Sequence, residues 1–231
     1  MARRKTKARA QFGRQLIARD VPKSPISEQY RTLRTNIQFA AIDRKVQTIM
    51  VTSSAPGEGK STTLANLGVV LAQQQKRVLI IDSDLRKPTV HFTFQLPNKT
   101  GLTNVLTRQL TFDDAVLETS VPFLEVLTSG PIPPNPSELL ASKAMRDFVK
   151  ELEEVYDYIL LDAPPINAVT DPQLLSKITD GVILVIRSGK TEEEGAIRAV
   201  ESLRKVNAHI IGAVLNDQKQ SETSYYYYYG E

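Results

Sequence analysis

Residues 46–62 read VQTIMVTSSAPGEGKST. An apolar, β-rich run (Val46, Ile49, Met50, Val51) gives way to a loop of small residues, Ser53-Ser54-Ala55-Pro56-Gly57-Glu58-Gly59. Lys60, Ser61 and Thr62 then open a helical pattern, so a strand, a phosphate-sized loop and a helix N-terminus follow one another. Gly57 and Gly59 let the backbone curl until several N–H groups point at one anion. A helix beginning near Lys60 adds the positive end of its dipole. Lys60 can reach the outer phosphates of a nucleotide, and the Ser61 hydroxyl can bind magnesium. Pro56, Gly57, Glu58, Gly59, Lys60, Ser61 and Thr62 are therefore the expected nucleotide contacts. A glycine-rich turn before an ordinary helix is the plainer alternative, but it does not account for Gly-Lys-Ser in this context. One departure is visible: the common pattern has Gly five positions before Gly59, where this chain has Ser54.

Outward from this stretch, two more apolar runs end in acids. RVLIIDSDLRKP carries Val78–Ile81 into Asp82 and Asp84, and YDYILLDAPP ends in Asp162. Continuous apolar strands of this kind suit a parallel sheet covered on both faces. Parallel strands bring their carboxyl ends to one edge, where open α/β sheets bind ligands. Asp82, Asp84 and Asp162 should thus converge with the Gly59–Lys60 loop. A strand-end acid is often only a turn former, but three beside a phosphate loop point to magnesium and acid–base work. Asp162, at the end of its hydrophobic strand, is the best candidate to hold the metal, through water. Asp82 or Asp84 is then left to accept a proton from an incoming nucleophile. A carboxylate beside these cations stays ionised and is a weak base, which phosphoryl transfer tolerates because positioning dominates.

The remaining pattern alternates helix and strand. A helix is expected from Ser24-Pro25-Ile26-Ser27-Glu28 to about Ile42, with Ser24 or Ser27 as its cap and Tyr30, Leu33, Ile37 and Ala41 on one face. Glu28, Arg31 and Arg34 form a charged ridge beside that face, for which a local i,i+3 salt bridge is the plain reading. Helices are expected over 59–75, 137–155, 171–178 and 191–206, and strands over 123–127, 181–186 and 210–215. Residues 89–122 hold two short helical patterns. The prediction is one doubly wound, mostly parallel α/β sheet. The domain spans 23–216, between a flexible basic arm (1–22) and a flexible tail (217–231).

Composition bounds the function. With 231 residues and 41% hydrophobic content, the chain supports one large domain with a full core. It has no cysteine and only His91 and His209, so disulfides and thiolate or histidine metal sites are not expected. No apolar run approaches bilayer length, and the basic N-terminus lacks the apolar segment of a secretory signal, so a cytoplasmic protein is expected. Net charge is +3, yet through Arg19 there are seven Lys/Arg and no acid. That arm reads as a solvated segment; an anionic membrane surface is the alternative, and nucleic acid is not expected because no aromatics interleave the charges.

The chain ends SETSYYYYYGE, with five consecutive tyrosines: Tyr225, Tyr226, Tyr227, Tyr228 and Tyr229. A buried tail would mix in aliphatics, and this one has none. Phenols on a polar linker beside an ATP site read as a phosphorylation substrate. From Asn216 the tail spans at most about 30 Å to Tyr225 at ~3.3 Å per residue, enough to reach its own rim or a neighbour's site.

Together these features resemble the bacterial tyrosine kinases (BY-kinases) of capsule and exopolysaccharide synthesis, from about Ser24 to the end. The likeness is to the Firmicute type, whose cytosolic kinase is a chain separate from its membrane activator. SSAPGEGKST resembles the family's Walker A motif, VLIIDSDLRKP its Walker A-prime and YDYILLDAPP its Walker B. TSGPIPPNPSELL is a family-typical stretch, and Glu28-x-x-Arg31-x-x-Arg34 resembles the family's oligomerisation motif. The tyrosine-rich tail resembles its autophosphorylated cluster. The resemblance implies a protein-tyrosine kinase using ATP and Mg2+, with Lys60, Asp82 and Asp84 catalytic. In it Asp82 assists the attacking phenol while Ser61, Asp84 and Asp162 organise magnesium. It further implies a ring-like homo-oligomer, held partly by Glu28, Arg31 and Arg34, in which one chain's tail enters the next chain's site. A membrane-spanning modulator that recruits the kinase to the inner face of the membrane, a cognate phosphatase and further protein substrates are implied as partners. Asn216 resembles the adenine-reading asparagine of related ATPases. The runner-up, a switch ATPase of the related ParA/MinD-like P-loop class, commonly has a second lysine early in the loop; Ser54-Ala55-Pro56-Gly57 has none, and the tail has no role in such a cycle.

Overall fold

Strands whose neighbouring side chains are all apolar must be covered on both faces, and the chain supplies helices for each. A computed structural model describes residues 15–40 and 45–218. Its first half runs α1 (Ile17–Asp20), α2 (Pro25–Ala40), β1 (Thr48–Ser53), α3 (Lys60–Ala72), β2 (Val78–Asp82), α4 (Val90–Phe94), α5 (Leu102–Leu106) and α6 (Phe112–Ala115). There follow β3 (Leu117–Glu118), β4 (Leu124–Leu127), α7 (Pro136–Ala141), α8 (Lys143–Leu152), β5 (Tyr158–Asp162), α9 (Asp171–Leu175), β6 (Gly181–Arg187), α10 (Glu193–Lys205) and β7 (Ile210–Asn216). The seven strands form one sheet in the order β3-β4-β2-β5-β1-β6-β7. All neighbours are parallel except the two-residue β3, which lies antiparallel on β4.

Side-chain alternation divides the core in two. Ile49 and Val51 of β1, Ile80 of β2 and Leu160 of β5 pack with Leu64, Leu67 and Leu71 of α3 and with Ile37 of α2. Met50, Leu79, Ile81, Ile159 and Leu161 face the other way, onto Met145, Val149 and Leu152 of α8 and Leu203 of α10. The doubly wound parallel sheet is therefore observed. Its functional consequence lies in the register: Asp82 pairs with Asp162, and Asp162 stands opposite Val51 of β1, two residues before that strand ends. Three chain reversals thus leave the sheet at one level.

Three local expectations are revised, and of the two expected caps of α2 Ser24 is the one observed. The arm expected over 1–22 does not run free to Pro22, because Leu16 and Ala18 are buried and Ile17–Asp20 is helical. Asn66 of α3 holds this segment: its Oδ1 accepts from Ala18 N (2.9 Å), and its Nδ2 donates to the carbonyls of Gln15 (3.2 Å) and Thr62 (2.9 Å). Residues 1–14 lie outside the description. Ser24 Oγ accepts from Ser27 N (3.1 Å), while buried Ser27 donates back to Val21 O (2.8 Å) rather than capping α2. The single helix expected over 137–155 is two, because Ser142 is extended (φ −65°, ψ 158°) and caps α8 through Met145 N. β3 was not foreseen; at two residues it is too short to show any period.

Asn66→Ala should remove three hydrogen bonds from a fully buried amide and release the 15–22 segment. A loss of about 1–3 kcal/mol in unfolding free energy is expected by urea titration. An unchanged midpoint would mean that this segment contributes nothing to the fold.

Candidate active site

Between β1 and α3 the backbone turns through two left-handed glycines, Gly57 (φ 78°) and Gly59 (φ 99°). A Cβ on Gly59 would stand 2.1 Å from Asn216 Nδ2, so glycine is required there for both conformation and space. The charged residue of the loop turns away from its mouth. Glu58 is buried, and its carboxylate accepts from Ser54 N (2.8 Å), Ser54 Oγ (2.8 Å), Ala55 N (3.1 Å) and Thr191 Oγ1 (2.5 Å). A hydroxyl at position 54, in place of the usual glycine, thus has a use: it is one of the donors that staple the loop shut. From the end of β7, Asn216 Nδ2 donates to Glu58 O (2.9 Å). Arg187, at the end of β6, donates to Gly57 O (3.1 Å) and pairs with Asp217 (2.7 Å).

Beyond the loop lie the strand-end acids. Lys60 Nζ lies 3.1 Å from Asp162 Oδ1 and 3.3 Å from Asp84 Oδ2. Ser61 Oγ donates to Asp162 Oδ2 (2.6 Å) and receives Thr89 Oγ1 at 3.0 Å. Asp84 Oδ1 accepts from Lys87 N (3.0 Å). Asp82 Oδ2 accepts from Thr89 N and Val90 N, each at 3.0 Å, whereas its Oδ1 is buried with no partner. All three carboxylates are buried. Burial, then the neighbouring Asp162 charge, pushes Asp82 up to about 8. The ionised weak base expected from sequence is a carboxylate beside bound magnesium; with Lys60 as the neighbouring cation, burial prevails. Burial raises Asp162 above the usual carboxylate range although Lys60 and Ser61 pull the other way. Burial works against the Lys60 ammonium, but Asp162 and Asp84 outweigh it and hold it above its ordinary value.

This donor set fits a magnesium–nucleotide. Among the described residues no three His, Cys, Asp or Glu side chains close on a common metal position. Magnesium does not need three; it is commonly held by one or two carboxylates and a hydroxyl, with phosphates and water completing the shell. Ser61, Asp84 and Asp162 offer such hard oxygen donors, and the unpaired Asp82 Oδ1 marks a site short of positive charge.

A cleft of about 500 Å³ opens over this cluster. Pro56, Gly57, Gly59, Lys60, Ser61 and Thr62 form one side, and Asp84, Arg86, Lys87 and Thr89 lie across from them. Pro164, Pro165, Ala168 and Val169 add an apolar stretch. Pro164 is fixed by Thr52 Oγ1, which donates to its carbonyl (2.7 Å). Arg86 is fixed by Asp171, a buried carboxylate that takes Arg86 Nε (2.8 Å), Arg86 Nη2 (3.1 Å) and Ser137 Oγ (2.6 Å). Burial alone would raise Asp171, but these bonds hold it below the usual carboxylate range. A second hollow, of about 460 Å³ around Arg77 and Phe123, sits at the amino ends of β2 and β4, away from all of this chemistry.

Of the seven expected nucleotide contacts, Pro56, Gly57, Gly59, Lys60, Ser61 and Thr62 line the cleft and Glu58 turns away; Asp84 lines it too, with Asp82 and Asp162 buried beside it. Asn216 joins them, bonded to the loop rather than standing apart from it. Glu28, Arg31 and Arg34 lie elsewhere, on α2. Arg31 pairs with Glu28 and donates to Pro22 O (2.8 Å), and Arg34 donates to Val70 O (2.9 Å). Tyr225–Tyr229 lie outside the described residues. Sequence reading missed Thr89, Thr191 and the Arg86–Asp171 pair. Arg86 sat within the quoted DSDLRKP and could have been flagged; Thr191 and Asp171 carry no local signal.

The strand–loop–helix, the three strand-end acids and the parallel sheet define a P-loop nucleotide-binding domain, and a family model described as an AAA domain matches residues 46–216. The chain is 53% identical to the tyrosine-protein kinase YwqD of Bacillus subtilis (strain 168), over 100% of this chain and 97% of that protein. It is 44% identical to a Staphylococcus aureus protein named putative tyrosine-protein kinase CapB, covering 94% and 95% of the two. The crystal structure of the chimerical protein CapA2B2 superposes with a TM-score of 0.86 at 45% identity, over 89% of this chain and 90% of that one. The chain belongs to the bacterial tyrosine-protein kinase family.

Gly59→Ala should force both a strained φ and a clash with Asn216. At about 1–3 kcal/mol of backbone strain, ADP affinity should fall roughly ten- to a hundredfold by calorimetry. Wild-type affinity would show that the loop accommodates a side chain there.

Proposed function

We propose that this kinase transfers the γ-phosphoryl group of ATP to tyrosines of its own C-terminal cluster, in trans within a ring-like oligomer, and so regulates capsule or exopolysaccharide synthesis. The observation that carries the reading is the single cleft in which Lys60, Ser61 and Asp84 face an apolar wall, with Asp82 and Asp162 buried beneath. Backbone N–H groups of residues 57–62 and the Lys60 ammonium bind the phosphates. Ser61, Asp84 and Asp162 would hold magnesium, which would supply positive charge against the charge developing in transfer. Pro164, Pro165, Ala168 and Val169 receive the tyrosine ring. Asp82 takes the phenol proton; its Oδ1, which has no hydrogen-bond partner, supports that assignment. Asn216 meets the base: with one N–H spent on Glu58 O, its second N–H and its Oδ1 still match the N7 and N6 edge of adenine.

Magnesium and ATP, the ring, a membrane-spanning modulator, recruitment to the inner membrane face and a cognate phosphatase belong to the same proposal. No helix among the described residues is long and apolar enough to cross a membrane, which is compatible with recruitment by a partner. The charge of about −1.5 to −2 added per phosphotyrosine would favour dissociation of the ring.

Incubation of the full chain with ATP and Mg2+, followed by intact-mass measurement and peptide sequencing, tests the assignment. Stepwise phosphate additions on Tyr225–Tyr229 are expected. Lys60→Met should abolish them while circular dichroism stays native, and replacing all five tyrosines by Phe should remove most of them with nucleotide binding kept. Phosphate incorporation by Lys60→Met would overturn the site; equal stoichiometry after the Phe replacement would place the acceptor elsewhere.

Changing Glu28, Arg31 and Arg34 to Ala should give a smaller particle by light scattering. An unchanged mass would leave these residues with only their bonds inside α2 and to Pro22 and Val70.

A further inference from the structure

Two cations on the far side of the cleft take no part in the chemistry assigned above. Arg86 and Lys87 follow the acid-bearing strand end and line the cleft across from the phosphate loop. Arg86 is the more rigid. Its Nε and one terminal nitrogen are spent on the buried Asp171, and that nitrogen also donates to Ser137 Oγ (2.8 Å). The remaining terminal nitrogen, Nη1, makes no hydrogen bond to the described residues. The guanidinium is thus clamped along one edge and presents the other. The Lys87 side chain is exposed, and only its backbone N–H is used, by Asp84.

A clamped guanidinium with a spare edge, next to an ammonium, is suited to a phosphate dianion. The phosphates of ATP are served by the opposite side, so a second anion must come from the acceptor. The chain's acceptor segment is five tyrosines without interruption. Once one is phosphorylated, every further acceptor carries a phosphate nearby; in an extended segment the same-face neighbour two residues away lies about 7 Å off. That phosphate adds about −1.5 to −2 of charge beside three buried acids. Without cations on the acceptor side, each transfer would make the next one harder.

We propose that Arg86 and Lys87 form a subsite for a phosphotyrosine adjacent to the acceptor, so that the kinase prefers tails that already carry a phosphate. The proposal rests on the kinase reading above. The subsite recognises a phosphorylated peptide of the chain's own tail type; Arg86 and Lys87 set substrate preference, and Asp171 and Ser137 position Arg86.

The full chain with Tyr225–Tyr229 all changed to Phe serves as enzyme, removing its own acceptors. Two synthetic peptides of the tail sequence are compared, each with one acceptor tyrosine at 225 and Phe at the other positions, one of them carrying phosphotyrosine at 227. The primed peptide is expected to show kcat/KM about tenfold higher, the worth of one charge-assisted hydrogen bond. Arg86→Gln and, separately, Lys87→Met should bring the ratio of primed to unprimed rates toward one. Lys87→Met leaves the Asp171 clamp intact, so its effect does not depend on how the Arg86 variant folds. Equal rates on the two peptides, or a ratio that survives both substitutions, would overturn the subsite while leaving the kinase intact. Transfer to neither peptide would instead overturn the tail as acceptor, and the subsite with it.

Discussion

Three carboxylates and one ammonium share a buried volume at the carboxyl edge of the sheet. Removing an ion from water costs several kcal/mol even after relaxation, so such a group persists only where each charge is paired or neutralised. Lys60 bridges Asp84 and Asp162, Ser61 satisfies the second oxygen of Asp162, and Asp82 is held by two backbone N–H groups. Burial, and then the nearby Asp162 charge, raises Asp82 to about 8. A cluster tuned only for stability would carry a second lysine or one acid fewer. The surplus of negative charge is what a divalent cation would relieve, so the site's electrostatic deficit and its metal are one problem.

The phosphate loop is shaped by a different set of contacts, and three of them come from the other side of the sheet centre. Glu58 is an acid inside a loop meant for anions, an arrangement that would repel phosphate if the carboxylate faced inward. Instead it is turned back and neutralised by donors from Ser54, Ala55 and Thr191. Asn216 and Arg187 add bonds to the loop's carbonyls. The outward-facing carbonyls and carboxylate are thereby tied down, which leaves the N–H groups to point into the cradle. The ends of β6 and β7 thus join the base-side elements to the phosphate loop through residues 57 and 58.

What the sequence reveals follows from the range of the interaction. The strands were legible because a buried parallel strand is apolar throughout, and their acids were legible because each one interrupts such a run. Gly57, Gly59, Lys60 and Ser61 are local to one turn and can be read there. The break at Ser142 was hidden because Leu139, Leu140, Met145, Phe148 and Val149 keep an apolar stripe across it; only the extended backbone at 142 divides the helix. Burial of Leu16 and Ala18 was hidden by the surrounding positive charge, and depends on Asn66, 48 residues from Ala18. Asp171 and Thr191 are tied to partners 85 and 133 residues away, and nothing in their own neighbourhoods announces it.

The same bonds bear on which acid accepts a proton. Asp84 lines the cleft, yet both of its oxygens are engaged, one with Lys60 and one with Lys87 N. Asp162 is engaged with Lys60 and Ser61. Asp82 alone has an unpaired oxygen, but that oxygen is buried and does not open on the cleft. If Asp82 receives the phenol proton, the 83–90 segment has to shift when substrates bind, because Thr89 and Val90 hold its other oxygen. That segment is anchored at both of its ends, by Asp82 through Thr89 and Val90 and by Asp171 through Arg86. Movement confined between Arg86 and Val90 would carry Thr89 with it, and Thr89 also touches Ser61. Proton acceptor and metal ligand would then be rearranged by one displacement, and neither could reach its working geometry without the other.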